Sequence, residues 1–206
     1  MNARTHTSLL GMAAPVLYAA SVVLGGALWP EYSHLRDPIS LLASTGVPNA
    51  LLMNVLFACY DVLLCLFGLA WWFGERHRPG SLAAMLLAVI GFLGIAMFFF
   101  RQDAPGLNMT AAGLVHIVLA GAMSLLTMLA IFLRGRAEWR ELGQRKAAVY
   151  SFVSLAVVFI TGGPAAFSIA RHWTFGGLLE RLTIGAFLLW VFVEAWLSAR
   201  RPKLAG

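Results

Sequence analysis

Six apolar stretches of about 20 residues each, separated by short loops, constrain this chain more than any other feature of its sequence. They cover residues 8–28, 49–73, 81–100, 110–133, 147–169 and 178–198. A helix of that length crosses the hydrocarbon core of a bilayer, which is roughly 30 Å thick. Only 12% of the residues are charged, against about 25% in soluble domains. The chain is therefore predicted to be an all-α polytopic membrane protein with a bundle of six transmembrane helices.

The connections between these spans are too short to contain a soluble domain of ordinary size. Residues 1–206 are accordingly predicted to form one six-helix transmembrane domain. A secretory signal is the alternative for the first stretch, but its length exceeds the 7–15 apolar residues usual in a cleaved signal. We expect it to be a true span.

The distribution of basic residues predicts the orientation of the chain. Arginine and lysine collect before span one and after spans two, four and six, most densely in 134–146. The exceptions are Arg36, Arg101, Arg171 and Arg181. Because basic residues favour the cytoplasmic side of a membrane, both termini are predicted to be cytoplasmic. The net charge of +6 then reflects topology and contact of loop 134–146 with anionic lipid, and no nucleic-acid partner is expected.

The stretch PEYSHLRDPISLLAS, residues 30–44, carries unusual polar chemistry between two apolar spans. Asp37 before Pro38 is typical of an N-cap followed by proline at the first helical position. A helix of about two turns is expected to follow at the outer membrane surface and to end near Gly46. On the simplest interpretation Asp37 is only a cap and Ser40 only a surface hydroxyl, which leaves the neighbouring charges unexplained.

Span two carries a stripe of small and polar residues on one helical face. Its members are Asn54, Ala58, Asp61, Cys65 and Gly68. Such a face is expected to pack inward. Asp61 lies near the middle of the span, where a carboxylate facing lipid costs several kcal/mol, so it must be protonated, paired or near water. A structural and a functional role for Asp61 both remain open.

The run YSHLRDPISLLASTGVPNALLMN, residues 32–54, resembles the signature of a bacterial six-span membrane family catalogued as domain of unknown function 998. The family pattern Y-S-x-x-x-D-x-I-S leads there into Pro-x-x-x-x-Met-Asn. Later segments, FFFRQDAPG, TAAGLVHIVLAG and GLLERLTIGAFLLW, are similar to the family in the same order. Arg101-Gln102 departs from it, because a proline often precedes the aspartate equivalent to Asp103.

The resemblance implies a six-helix fold in the bacterial cytoplasmic (inner) membrane and implies no activity. It suggests treating five polar residues as one set: Asp37, Ser40, Asn54, Asp103 and His116. The topology prediction independently places all five on the outer side. Adjacent packing of spans two and four would bring them into one layer.

These observations favour a polar pocket open to the outer leaflet, where a lipid headgroup or similar amphipathic ligand would bind. His116 is the candidate general base or metal ligand, with Asp37 and Asp103 as its orienting or metal-binding partners and Ser40 as a hydrogen-bonding group. The candidate ligand-binding residues are His34, Asn54, Arg101, Glu180 and Arg181. Arginine suits phosphate because it donates two parallel hydrogen bonds.

Two other classes of function remain open from the sequence. A proton- or ion-coupled transporter would use Asp61 as a site within the membrane. A non-catalytic structural or partner-binding protein would use the polar groups only to hold helices together. Membrane lipids are the expected partners, while a protein partner, a cofactor, a metal and enzymatic turnover are left unspecified.

Overall fold

The computed structural model of the protein describes residues 3–104, 106–171 and 173–200. These residues form six α-helices and one short 3₁₀ helix, with no strand among them. The elements are α1 (Ala3–Ala27), the 3₁₀ helix (Ile39–Ala43), α2 (Ala50–Glu75), α3 (Ser81–Met97), α4 (Ala111–Arg140), α5 (Arg145–Ala170) and α6 (Gly176–Arg200). The all-α prediction is confirmed. Arg201 and Lys203, which contributed to the predicted topology, lie outside the described residues.

Five of the helices in this part of the chain are long and apolar enough to cross a membrane. The exception is α3, which has 17 residues and ends at Met97 rather than at residue 100. Three turn hydrogen bonds carry the chain from there to Phe100, among them Phe100 N–H to the Met97 carbonyl at 3.2 Å. The helix α4 continues to Arg140, so residues 134–140 of the predicted loop 134–146 belong to a helix.

The six helices form a closed ring in which each packs against the next along the chain and α6 packs against α1. The core between them includes Leu64, Phe67, Leu87, Ile131 and Trp190. The helix α3 packs against both α2 and α4 and lies between them in the ring. The prediction that spans two and four are adjacent is therefore wrong, because α2 and α4 are not a packed pair in the described part of the chain.

This up-and-down order gives the ring two distinct ends. We call the end with residues 28–49, 98–104 and 173–175 the loop end. The other, the terminal end, contains residues 76–80 and 141–144, the start of α1 and the end of α6. Most of the polar residues selected from the sequence belong to the loop end.

The small and polar face of α2 packs inward, as predicted, and the helix that it packs against is α3. Asp61 is only 7% exposed, and its carboxyl group lies against Gly94 of α3. Gly68 lies against the backbone of Ala84 and Ala88, where a side chain on Gly68 would collide. Small residues on both helices therefore allow their backbones to approach closely.

The short helix expected after span one is present, but its capping differs from the prediction. It is a 3₁₀ helix that begins at Ile39, and Pro38 occupies the N-cap position without a side-chain cap. It ends at Ala43, with Ser44 as the C-cap, before Gly46. Asp37 does not cap it, because its carboxylate is already bonded to the Ser33 N–H and to Arg36. The helix buries its apolar residues Ile39, Leu41 and Leu42.

Candidate functional site

The polar stretch 32–40 is bonded to the first turn of α6. Gly177 N–H donates to the Arg36 carbonyl at 3.1 Å, and Leu178 N–H donates to the Leu35 carbonyl at 2.9 Å. These carbonyls satisfy N–H groups that the first turn of a helix leaves without an intrahelical partner. The loop and α6 therefore hold each other in place.

Arg181 strengthens this connection through uncharged acceptors. Its Nη1 donates to the carbonyls of Asp37 and Gly177, both at 2.9 Å, and its Nη2 donates to the Tyr32 hydroxyl. The Tyr32 hydroxyl in turn donates to the Pro38 carbonyl at 3.0 Å. Burial raises the pKa of Tyr32 to about 12, so the hydroxyl stays protonated and able to donate.

Three further polar side chains lie beside Tyr32 and Arg181, namely those of His34, Asp37 and Glu180. Glu180 accepts a hydrogen bond from the Ile39 backbone N–H. Partial burial raises the pKa of Asp37, but hydrogen bonds from Arg36 and Ser33 outweigh it and the net pKa is below the ordinary value. The His34 ring is exposed and packs edge-on against Tyr32; burial and then the charge of Arg181 lower its pKa. We call these five residues the Tyr32 cluster: Tyr32, His34, Asp37, Glu180 and Arg181.

A second polar group forms at the start of α4. The Asp103 carboxylate accepts from the Thr110 N–H at 2.8 Å and from the Thr110 hydroxyl at 2.9 Å. Thr110 is the N-cap of α4 and accepts from the Gly113 N–H at 3.1 Å. His116 Nδ1 donates to the Phe100 carbonyl at 2.9 Å. We call this group the Asp103 turn; it joins the end of α3 to α4.

The other predicted site residues lie between or beside these groups. Asn54 donates to the carbonyls of Ala43 and Ala50, both at 2.8 Å, which fixes the 3₁₀ helix on α2. Ser40 and Arg101 are half-buried. The Thr45 N–H donates to the Gln102 carbonyl at 3.1 Å and links the two loops.

The five residues treated as one set thus make separate contacts. Asp37 belongs to the Tyr32 cluster, Asp103 and His116 to the Asp103 turn, and Asn54 to the contact between α2 and the 3₁₀ helix. No group of three or more His, Cys, Asp or Glu side chains that could hold a metal ion occurs in the described chain. The geometry therefore gives no support to a metal bound jointly by His116, Asp37 and Asp103.

A groove that the sequence analysis did not identify opens between α5 and α6 at the loop end. Its volume is about 310 Å³, and none of the predicted site residues lines it. Its walls are formed by Gly163, Pro164, Phe167, Ser168, Trp173, Phe175 and Leu179. The sequence signals near it are the run Gly162-Gly163-Pro164 inside α5 and aromatic residues at the next loop. We call it the α5–α6 groove.

At the terminal end Arg134 is buried, although it belongs to the basic stretch 134–146 that was expected to contact anionic lipid. Arg134 is fully buried and donates to Glu194 of α6 at 2.9 Å and to Glu138 at 3.1 Å. The prediction that Arg134 contacts lipid headgroups is therefore wrong. Its spacing of four residues from Glu138 was the available signal, because residues i and i+4 share a helical face.

A family model described as "Protein of unknown function (DUF998)" matches residues 12–197, which include nearly all of α1 to α6. The chain belongs to this family. The resemblance seen in the motifs is thereby confirmed, and in this DUF998 protein those motifs hold the loop end together. Tyr32, Asp37 and Asn54 hold the first loop, and Asp103 with Thr110 holds the turn before α4. No curated protein and no solved structure matches the chain.

Proposed function

We propose that this DUF998 protein binds an amphipathic membrane lipid at its loop end, with part of an acyl chain in the α5–α6 groove. The observation that carries the proposal is the groove itself, an apolar cleft of about 310 Å³ on helices long enough to cross a membrane. That volume is at the lower end of the range for ligand sites, about 300–1,000 Å³. It suits a segment of an acyl chain rather than a whole lipid.

The mouth of the groove offers groups for the polar part of a lipid. Arg171 is exposed directly after α5, and its guanidinium lies 5.3 Å from the centre of the Phe167 ring. A guanidinium in that position suits a phosphate. Ser168 lines the groove, and its hydroxyl is buried without a hydrogen-bond partner in the described part of the chain.

The Tyr32 cluster has a supporting role in this proposal. It binds the start of α6, where Leu179 lines the groove. The carboxylates of Asp37 and Asp103 are occupied by hydrogen bonds within their own loops. We therefore assign loop stabilisation, and no catalytic step, to Asp37, Asp103 and His116.

We also propose that the protein lies in the bacterial inner membrane with both termini in the cytoplasm. The distribution of basic residues between the two ends supports this orientation. A single cysteine at position 34, in a protein lacking Cys59 and Cys65, should react with an impermeant reagent in intact cells. Labelling only after permeabilisation would contradict the orientation.

The α5–α6 groove can be filled without distorting the protein. An added Cβ at Gly163 meets no atom within 4 Å, so Gly163→Leu should place its side chain in the groove. Gly185→Leu is the matched control, because Gly185 is equally open but is not among the residues lining the groove. Native mass spectrometry should show bound phospholipid on the wild type and on Gly185→Leu, and a several-fold smaller bound fraction on Gly163→Leu. Equal lipid on all three would contradict the proposal.

One observation favours ion-coupled transport as a second candidate. Asp61 is buried in the middle of α2 against α3, where an ionisable group is costly without a function or a partner. Asp61→Asn should then abolish proton flux into proteoliposomes while leaving lipid binding unchanged. Flux equal to that of the wild type would exclude Asp61 as the coupling site.

A further inference from the structure

Acidic and basic residues of the terminal end are divided unequally between the interior and the surface. Of its acidic residues, Glu75, Glu138 and Glu194 are buried, whereas Glu141 is exposed. Glu141 pairs with an exposed arginine, Arg136, at 3.6 Å. The exposed basic side chains at this end of the described chain are Arg76, Arg136, Arg140, Arg145, Lys146 and Arg200. The surface of the terminal end is therefore strongly basic.

The loop end does not share this excess of positive charge. Its acidic residues, counted with the adjoining turns of α5 and α6, are Glu31, Asp37, Asp103 and Glu180. The basic residues of the same region are Arg36, Arg101, Arg171 and Arg181. The charges of the two sets balance. A polyanionic partner is therefore attracted to the terminal end and not to the loop end.

Two of the exposed arginines at the terminal end lie over tryptophan rings. The guanidinium carbon of Arg145 lies 4.0 Å from the centre of the Trp139 ring, and that of Arg200 lies 3.9 Å from the centre of the Trp196 ring. Trp139 is 42% exposed and Trp196 is 39% exposed. Stacking uses the face of a guanidinium, and its N–H groups at the edge can donate two parallel hydrogen bonds to a phosphate. Each pair therefore presents an arginine in a form suited to phosphate.

The two pairs belong to three successive helices of the ring. Trp139 and Arg145 connect the end of α4 to the start of α5, and Trp196 and Arg200 lie in the last turns of α6. The helix α5 packs against both α4 and α6, and all three are long and apolar enough to cross a membrane. Tryptophan near the end of such a helix favours the headgroup level of the bilayer. We therefore expect both arginines at the depth of the lipid phosphates.

We propose that this side of the terminal end binds anionic phospholipid, with Arg145 and Arg200 holding headgroup phosphates against their tryptophans. The neighbouring charges of Arg140 and Lys146 favour an anionic headgroup over a zwitterionic one. Lipid is favoured over other polyanions because the stacked arginines lie at the ends of membrane-spanning helices beside interfacial tryptophans. The surface is at the opposite end of the ring from the α5–α6 groove and does not depend on a lipid there.

Native mass spectrometry of the full chain with added phosphatidylglycerol or phosphatidylcholine tests the proposal. All proteins would carry Gly163→Leu, so that lipid in the α5–α6 groove does not contribute. Arg145→Gln and Arg200→Gln should each lower the fraction bound to phosphatidylglycerol several-fold and leave phosphatidylcholine binding unchanged. Arg76→Gln is the matched control, because it removes one exposed charge of the same end from a different helix connection, and it should have a smaller effect.

An equal loss in Arg76→Gln would overturn the assignment to Arg145 and Arg200, since only overall charge would then matter. Equal binding of the two lipids by the parent protein would overturn the proposal itself, as expected of a surface that serves an acidic protein instead. Both results are independent of whether the groove binds lipid.

Substitution of a stacked tryptophan tests the pairs without changing the charge. Trp139→Leu removes the ring under Arg145 and should lower phosphatidylglycerol binding, whereas Trp139→Phe keeps an aromatic ring and should retain more of it. Thermal unfolding near the parent temperature in both variants would show that the loss is not one of folding. Phosphatidylglycerol binding equal to that of the parent protein in both variants would overturn the role of the stacked pair.

Discussion

Glu180 Oε2 accepts a 2.6 Å hydrogen bond from the backbone N–H of Ile39, 141 positions earlier in the chain. This bond fixes the start of the 3₁₀ helix on the first turns of α6, beside the contacts that Gly177 and Arg181 make with the same loop. The polar stretch between the first two helices therefore acts as a brace across the loop end. Leu179, in the first turn of α6, lines the α5–α6 groove.

The first prediction concerns this bond. Glu180→Ala removes the acceptor and leaves the Ile39 N–H without a partner, which should lower the free energy of unfolding by about 1–3 kcal/mol. Glu180→Gln keeps an acceptor oxygen and should cost less. Thermal unfolding of the purified variants measures both. Glu31→Ala, an exposed acidic residue of the same loop, is the control, and a loss equal to that of Glu180→Ala would contradict the assigned bond.

The second prediction concerns the close contact of α2 and α3. Gly68→Ala would place a methyl group against the backbone of Ala84 and Ala88, so the helices must separate and the protein should lose several kcal/mol of stability. Gly74→Ala lies in the same helix, where an added Cβ meets nothing within 4 Å. It should be neutral or stabilising by about 0.5–1 kcal/mol. Similar melting temperatures for the two variants would show that the contact is looser than described.

The third prediction concerns the Asp103 turn. Thr110 caps α4 through its hydroxyl and also bonds Asp103, so Thr110→Ala should cost about 0.5–2 kcal/mol. Thr110→Ser keeps the hydroxyl and should retain most of the stability. In a double-mutant cycle, Asp103→Asn and Thr110→Ala should be non-additive, because the two residues are bonded to each other. Strict additivity would contradict that contact.

The apolar stretches predicted the helices well, because a bilayer requires about 20 apolar residues for each span and only short loops lie between the stretches of this chain. The inward face of α2 also followed from sequence, since small and polar residues recur there at helical spacing. The position where α4 ends could not be predicted from the sequence. A run of basic residues resembles a loop at the membrane surface, and burial of Arg134 depends on Glu194 in another helix.

The candidate site was predicted only in part. The motif residues belong to the loop end, but their grouping depends on which helices are neighbours, and α3 separates α2 from α4. Asp37 was predicted to cap a helix; instead it bonds Ser33 and Arg36 within its own loop. The α5–α6 groove depends on the shape of two helices and a loop together, which no single sequence pattern specifies.

The fourth prediction concerns acid sensitivity at the loop end. Hydrogen bonds hold the pKa of Asp37 below its ordinary value, so its ionised form stabilises the folded state above about pH 4. That stabilisation should be lost as the pH falls through the folded-state pKa. The melting temperature of Asp37→Asn should therefore change less with pH in this acidic range than that of the wild type. An unchanged slope in Asp37→Asn would exclude Asp37 as a contributor.

Photocrosslinking with a phospholipid that carries a photoreactive group in its acyl chain tests whether a lipid occupies the α5–α6 groove. The protein would be reconstituted with this lipid, irradiated, digested and mapped by mass spectrometry. We expect the adducts to concentrate on residues 163–168 and 173–179, which include the residues that line the α5–α6 groove, and to fall several-fold in Gly163→Leu but not in Gly185→Leu. Adducts spread evenly over the lipid-facing surfaces of all six helices, and unchanged in Gly163→Leu, would contradict a lipid site in the groove.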